Sequence, residues 1–458
     1  MHLRRHNRLS FMTFVFCLML AAISHAAVAA DKNFDKNEFA ARRAKLLEQM
    51  PDGIAVIPAG DAHIHAVKFR QSPDFFYLTG IEEPGAVLVL VGPRKMSVVF
   101  AHKRPAWKIN VEGAGILDIE KPADAYALTQ VQNIQSLIPF FNVMSKEAKR
   151  LYVPLTSPDS LQMARHEMQQ HETERTTHPL YRYTPPLKQA IARLHELQPH
   201  LMLSDINPLM DNLRWIKSSY EIQRMRESGR IGAEGVKVAM RGTKPGMFEY
   251  ELEAAARFVY TKLGARGDAF MPIVASGPNT ITWHYSENSR RMEAGDVVLM
   301  DYGTDYDYYT SDITRTWPVS GTFTPEQEKM YRCILEARNA VIAAMKPGVT
   351  VANLQDVAEV VYKKHGFHQQ FLNLGRYVGH HVGLSVHDVE PTEDGQPFKP
   401  GVVFNVEPLL EFRDKKIHTR LEDTVLITEN GAENLTAGVP AELDAVYALI
   451  KEKGLSLN

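Results

Sequence analysis

The sequence predicts a two-domain chain, mixed α/β in its first half and α+β in its second. Its 458 residues exceed what one hydrophobic core usually fills. Short apolar runs bounded by turn residues alternate with helical periodicity through the first half. The second half runs helix pair, strands, helix pair, strands, the order expected of two related α/β halves. The divisions fall at 1–30 for a leader, 31–212 for the first domain and 213–458 for the second.

The elements follow in order. A helical stretch at 39–50 precedes the turn Pro51-Asp52-Gly53, and strands are expected at 54–57, 75–78, 86–91 and 98–100. Residues 163–195 are polar and read as surface loops and helix. Ser218 with Glu221 forms a capping box that opens the second half. After Pro245, a further helix places Phe248, Leu252, Ala255, Val259 and Leu263 on one face and stops at Gly264. Strands are expected at 272–274, 297–300, 313–317, 402–406 and 424–427, around a helical block at 325–366 broken at Pro347-Gly348.

Composition narrows the function. The chain is 45% apolar and 23% charged, which is ordinary for a globular protein. A formal charge of −2 leaves no basic footprint, so nucleic acid is not expected as a partner and a peptide or small molecule is. Arg4, Arg5 and Arg8, the apolar run 9–23 and the small residues Ala27-Val28-Ala29-Ala30 have the layout of a secretory signal peptide. The apolar run, roughly 15 residues, is shorter than a bilayer span. An exported, periplasmic or secreted product without membrane insertion is therefore expected. Cys17 would leave with the leader, so Cys333 can form no intrachain disulfide and reads as a small core residue.

Four acids and one histidine stand out by position. Asp301 ends the strand 297–300, and Asp312 lies eleven residues on, across the turn Asp305-Tyr306-Asp307-Tyr308-Tyr309 that a hairpin closes. Glu407 ends the strand 402–406, Glu422 starts the strand 424–427, and His380 sits in Gly379-His380-His381-Val382-Gly383. Carboxylates at the mouths of buried strands are costly unless something neutralises them. Two divalent cations would balance four carboxylates, and oxygen ligands with one imidazole suit Mn²⁺, Co²⁺, Fe²⁺ or Zn²⁺. Taken singly, each such acid is more often a cap or an ion-pair partner. Spacing alone leaves that open.

The residues around these positions are more specific. Trp283-His284-Tyr285-Ser286-Glu287-Asn288, the run 295–303 ending Met300-Asp301-Tyr302-Gly303, and Ser311-Asp312-Ile313-Thr314-Arg315-Thr316-Trp317 closely resemble the aminopeptidase P and prolidase family. So do Gly383-Leu384-Ser385-Val386-His387-Asp388, Asn405-Val406-Glu407-Pro408, Arg420-Leu421-Glu422-Asp423-Thr424, and, earlier, Ser72-Pro73-Asp74-Phe75-Phe76-Tyr77-Leu78-Thr79-Gly80 and Pro245-Gly246-Met247-Phe248-Glu249-Tyr250. The resemblance implies a creatinase-like first domain and a "pita-bread" catalytic domain that hydrolyses the peptide bond before proline. It implies two metal ions, manganese foremost, with Asp301 on one, His380 and Glu407 on the other, and Asp312 and Glu422 bridging. Glu407 would shuttle the proton, His284 and His387 would bind substrate and steady the oxyanion, and Arg420 would orient Glu422 or a substrate group. The family's ligand lies seven residues before the histidine of Val-His-Asp, which selects His380 over His381. Family members are often dimers or tetramers, so a homo-oligomer is implied.

One position departs from the pattern. Proline-specific members usually carry a histidine four residues before the ligand, where this chain has Arg376. Arg376 either contacts a peptide carbonyl or carboxylate or faces solvent. The same fold also houses dipeptidases restricted to Xaa-Pro, metal-free creatinase-like hydrolases and catalytically silent binding modules. The filled set of five ligand positions disfavours the last two, and the large first domain disfavours a methionine aminopeptidase.

Overall fold

Strands that are apolar on both faces need cover on both, and the first domain supplies it. The computed structural model describes residues 34–61, 68–156, 159–180, 183–393 and 395–455, so the leader expected at 1–30 lies outside the described residues. Six strands, β1 Gly53–Pro58, β2 Val87–Val91, β3 Met96–Ala101, β4 Gln130–Asn133, β5 Arg150–Val153 and β6 Met202–Asp205, form one sheet in the order β4-β3-β2-β1-β5-β6. β1, β2 and β3 pair antiparallel, and the outer strands add in parallel. Successive side chains alternate between faces. Ile54 and Val56 join Val89, Val91 and Phe141 on one side, while Ala55 and Ile57 join Leu88, Leu90 and Phe39 on the other.

The segment 75–78, expected as a strand, is instead part of the helix Pro73–Thr79. Ser72 precedes Pro73 at the first helical position, and Gly80 ends the helix in the left-handed region at φ 65°. All seven residues of the helix are buried. Burial on every side erases the helical period, and a short continuous apolar run then looks like a strand.

Among the described residues, the second domain has eleven strands: β7 Gly267–Asp268, β8 Ile273–Ser276, β9 Val297–Asp301, β10 Thr304–Tyr306, β11 Tyr309–Thr310, β12 Ile313–Pro318, β13 Val403–Val406, β14 Leu409–Phe412, β15 Ile417–Arg420, β16 Glu422–Ile427 and β17 Ala432–Asn434. The main sheet runs β13-β16-β12-β9-β8, with β17 added to β16. Two packed helix pairs accompany it, Ser219–Met240 with Glu249–Lys262 and Pro325–Ala344 with Val351–Lys364. Ser218 and Glu221 do form a capping box. The halves meet where β12 pairs with β16, Thr314 opposite Glu422. Cys333 is buried in the core of the second half, and burial pushes its thiol up to about 12. Among the described residues, no helix is long and apolar enough to cross a membrane.

The core behind Ala55 and Ile57 crosses the domain boundary to include Met225, Tyr308, Tyr309, Val382, Leu384 and Leu426. The hairpin between β10 and β11 turns at Asp307 and Tyr308, with φ of 51° and 72°. Tyr308 stacks on Phe76, ring centroids 3.5 Å apart, and its hydroxyl accepts a bond from the Gln71 backbone N–H. Charges cross the boundary too. Buried Arg214, on the helix Asn207–Trp215, donates to Asp74 at 2.8 Å, to Asp159 at 2.6 Å and to Asp388 at 2.6 Å. Lys217 completes the network on Asp388 at 3.0 Å. Burial alone would lower the Arg214 pKa, but the three aspartates raise it well above its ordinary value.

Removing Arg214 takes the shared counter-ion from three buried carboxylates and leaves Asp388 to Lys217 alone and Asp74 and Asp159 to Arg165. Arg214→Ala is therefore expected to cost about 3–5 kcal/mol in denaturant unfolding. A loss below about 1 kcal/mol, as for an exposed pair, would show that the network does not hold the domains together.

Candidate metal centre and active-site cleft

Strand pairing brings the candidate ligands together. Asp301 closes β9 opposite Thr314 of β12, and Glu422 opens β16 opposite the same threonine. Asp312 immediately precedes β12, and Glu407 follows β13. The backbone carbonyl of His380 accepts the Asn405 N–H of β13 at 2.7 Å. His380 Nε2 then lies 3.4 Å from Asp312, 3.9 Å from Glu407 and 4.0 Å from Glu422. Asp312, His380 and Glu422 each offer a donor atom, all within 4.8 Å of one another. Arg420 closes the group, donating to Glu407 at 3.0 Å and to Asp301. Its approach to Glu422 is looser, at 3.9 Å, so its main hold is on Asp301 and Glu407 rather than on Glu422.

The electrostatics match a cation site. Burial pushes the Asp301 and Glu422 carboxyls well above the usual range, neighbouring carboxylates add to this, and Arg420 opposes it. Burial would also raise Asp312, but the hydrogen bond and charge of His380 hold it low. His380 responds in kind: burial would lower it, yet Asp312 and Glu407 lift it to about 9. Asp301 Oδ1 and Asp312 Oδ1 are buried without a hydrogen-bond partner. Orphaned acceptors of this kind are expensive unless a cation takes them. Hard oxygen donors with one imidazole therefore fit divalent metal.

A surrounding set of groups fixes these donors, as metal ligands generally require. Tyr377 donates its hydroxyl to Glu407 Oε2 at 2.6 Å, and burial keeps that hydroxyl protonated. Asn405 and Thr314 both donate to Glu422. Asn405 and Thr314 lie inside runs that already stood out in the sequence. Tyr377 does not, and no local signal marked it.

Asp301 and Asp312 also line a cavity of about 500 Å³ with His284, His387, Phe270 and the first-domain residue Glu167. The His387 ring centroid lies 4.4 Å from that of His380. Burial, reinforced by Arg420, lowers the His284 pKa. His381 points elsewhere, packing its ring against Trp215, Phe398 and Phe404, and burial drives its pKa down to about 3. Arg376 is not at the site either. Its guanidinium is held by Asp356 at 2.5 Å and Glu359 at 3.0 Å, both on the helix Val351–Lys364, which favours the outward alternative over the substrate contact.

Metallopeptidase family M24 matches residues 223–429, and the aminopeptidase P N-terminal domain matches residues 39–152. The Xaa-Pro aminopeptidase of Escherichia coli is 30% identical over 91% of this chain and 99% of its own length. The chain belongs to the aminopeptidase P family. An Arabidopsis thaliana relative, the mitochondrial intermediate cleaving peptidase 55, is likewise 30% identical, over 90% of this chain and 82% of its own. The Escherichia coli aminopeptidase P solved with the inhibitor Pro-Leu shares the fold at a TM-score of 0.77 and 28% identity, covering 91% of this chain and 98% of that one. As an aminopeptidase P family member the protein is a metal-dependent aminopeptidase, with a pita-bread catalytic domain behind its N-terminal domain.

Two substitutions test this geometry. Tyr377→Phe removes one bond to Glu407 and is expected to lower activity or metal affinity by about 10–100-fold, read from steady-state kinetics and metal titration. Arg376→Ala is expected to leave kinetics unchanged on di-, tri- and tetrapeptides. A length-dependent change in KM would return Arg376 to the substrate's path.

Proposed function

We propose that this aminopeptidase P family member removes the N-terminal residue of peptides whose second residue is proline. It would do so with two divalent ions, manganese foremost, held by Asp301, Asp312, His380, Glu407 and Glu422. The observation that carries this reading is the convergence of those five donors beside a cavity that also exposes His284 and His387. Divalent cations, when bound, lower the pKa of water and polarise the scissile carbonyl.

The chain's own groups supply the remaining chemistry. Glu407, held at one oxygen by Arg420 and at the other by Tyr377, takes the proton from the attacking water and passes it to the proline nitrogen as that nitrogen leaves. His284 and His387 flank the cavity and steady the oxyanion of the tetrahedral intermediate. Aminopeptidase action is favoured over dipeptidase action because an Xaa-Pro aminopeptidase matches both domains along almost its full length. The basic start, apolar run and small residues of 1–30 support export to the periplasm or beyond. Assembly into dimers or tetramers, implied by the family, is read directly by light scattering.

Metal analysis of the purified full chain, followed by chelation and re-addition of Mn²⁺, Co²⁺, Fe²⁺ or Zn²⁺, tests the centre. Alanine release from Ala-Pro-Ala is expected to vanish on chelation and return with metal. Hydrolysis indifferent to chelation overturns the metal reading, and cleavage of Ala-Pro alone makes the protein a dipeptidase. The Arabidopsis relative's name mentions no proline, so Ala-Leu-Ala belongs in the panel. Its cleavage at the same rate would overturn the proline requirement.

A further inference from the structure

The cavity wall opposite the metal-binding acids belongs to the first domain, on the helix Arg165–Thr176. We propose that Glu167 of this helix is a positioning residue for His387, fixing which ring nitrogen the histidine presents to the substrate. This rests on the reading above that His387 faces the scissile peptide.

His387 Nδ1 lies 3.0 Å from both carboxylate oxygens of Glu167. An imidazole has two nitrogens, and a partner on one determines what the other can do. With Nδ1 donating to Glu167, Nε2 is the nitrogen left for the cavity. The ring also packs against His380, centroids 4.4 Å apart, and feels the charge of Asp312, but its hydrogen bond at Nδ1 is to Glu167.

Glu167 is itself held in place. Its Oε2 accepts the Ala164 backbone N–H at 2.8 Å, which secures the start of the helix. The next residue along, Arg165, donates to Asp74 at 3.0 Å and to Asp211 at 2.8 Å. The segment before the helix is stitched to the loop carrying His387: the Val386 N–H donates to the Leu161 carbonyl at 2.9 Å, and the Ser385 hydroxyl donates to Asp159. On the far side of His387, Asp388 is pinned by Arg214 and Lys217. Both ends of the pair are therefore fixed in one register, as a contact that orients a reacting group requires. The bond to Ala164 admits a purely structural role for Glu167, and the test must separate the two.

Kinetics of the metal-loaded full chain on Ala-Pro-Ala decide it, using Glu167→Ala, Glu167→Gln, His387→Ala and the Glu167→Ala/His387→Ala double variant. Glu167→Ala is expected to lower kcat by about 10–100-fold, the range typical of groups that orient functional side chains, with melting temperature and metal content retained. Glu167→Gln keeps an acceptor for both Ala164 and the ring and is expected to recover part of kcat. In the double variant, loss of Glu167 should add nothing to loss of His387, because both act through one ring. Additive losses, or a Glu167→Ala rate within about twofold of the parent, overturn the proposal. A His387→Ala enzyme at full rate would instead sink the catalytic reading of His387, so the two failures are distinct.

Discussion

Everything in the second domain answers to four carboxylates placed where water is scarce. Bringing Asp301, Asp312, Glu407 and Glu422 together costs free energy that one arginine and one histidine only partly offset. The sheet bears that cost because register leaves no alternative. Asp301 and Glu422 both face Thr314 across the strand pairs, so moving either acid would slip a whole strand and turn its buried side chains outward. The apolar cores on either side of the sheet thus hold the acids against their mutual repulsion.

The same logic explains the tie between domains. Asp388 follows His387 directly, and its carboxylate is held by Arg214, which also grips Asp74 and Asp159 of the first domain. Buried ion pairs are weak evidence for stability in themselves, but they specify geometry strongly. Here they fix a loop of the catalytic domain against a segment some two hundred residues earlier in the chain. The ordering of that loop and the composition of the cavity wall become one problem.

Much of this was legible in the sequence because it is local. Strand-ending acids, capping boxes and glycine stops depend on neighbours within a few residues, so β9, β13 and the helix Ser219–Met240 could be placed from the letters alone. His380 could be separated from His381 only through the family resemblance, by its spacing of seven residues from the histidine of Val-His-Asp. What failed was context that only the fold supplies. The helix Pro73–Thr79 is buried all round, so its period was hidden. Tyr377 and Arg376 are neighbours, and nothing in their types said that the tyrosine would turn inward to Glu407 and the arginine outward to Asp356. Glu167 lies 220 residues from His387, a distance across which no periodicity speaks.

The β10–β11 hairpin carries a last implication. Asp301 and Asp312 sit at its two roots, and its tip, Tyr308, is lodged against Phe76 and Gln71 of the first domain. A clamshell swing between the domains would pull on that tip, and so on both acids through a few residues of stiff ribbon. Opening by hinge is thereby disfavoured. The hairpin tip, the acids at its roots and the first-domain residues it packs against would therefore have to move together.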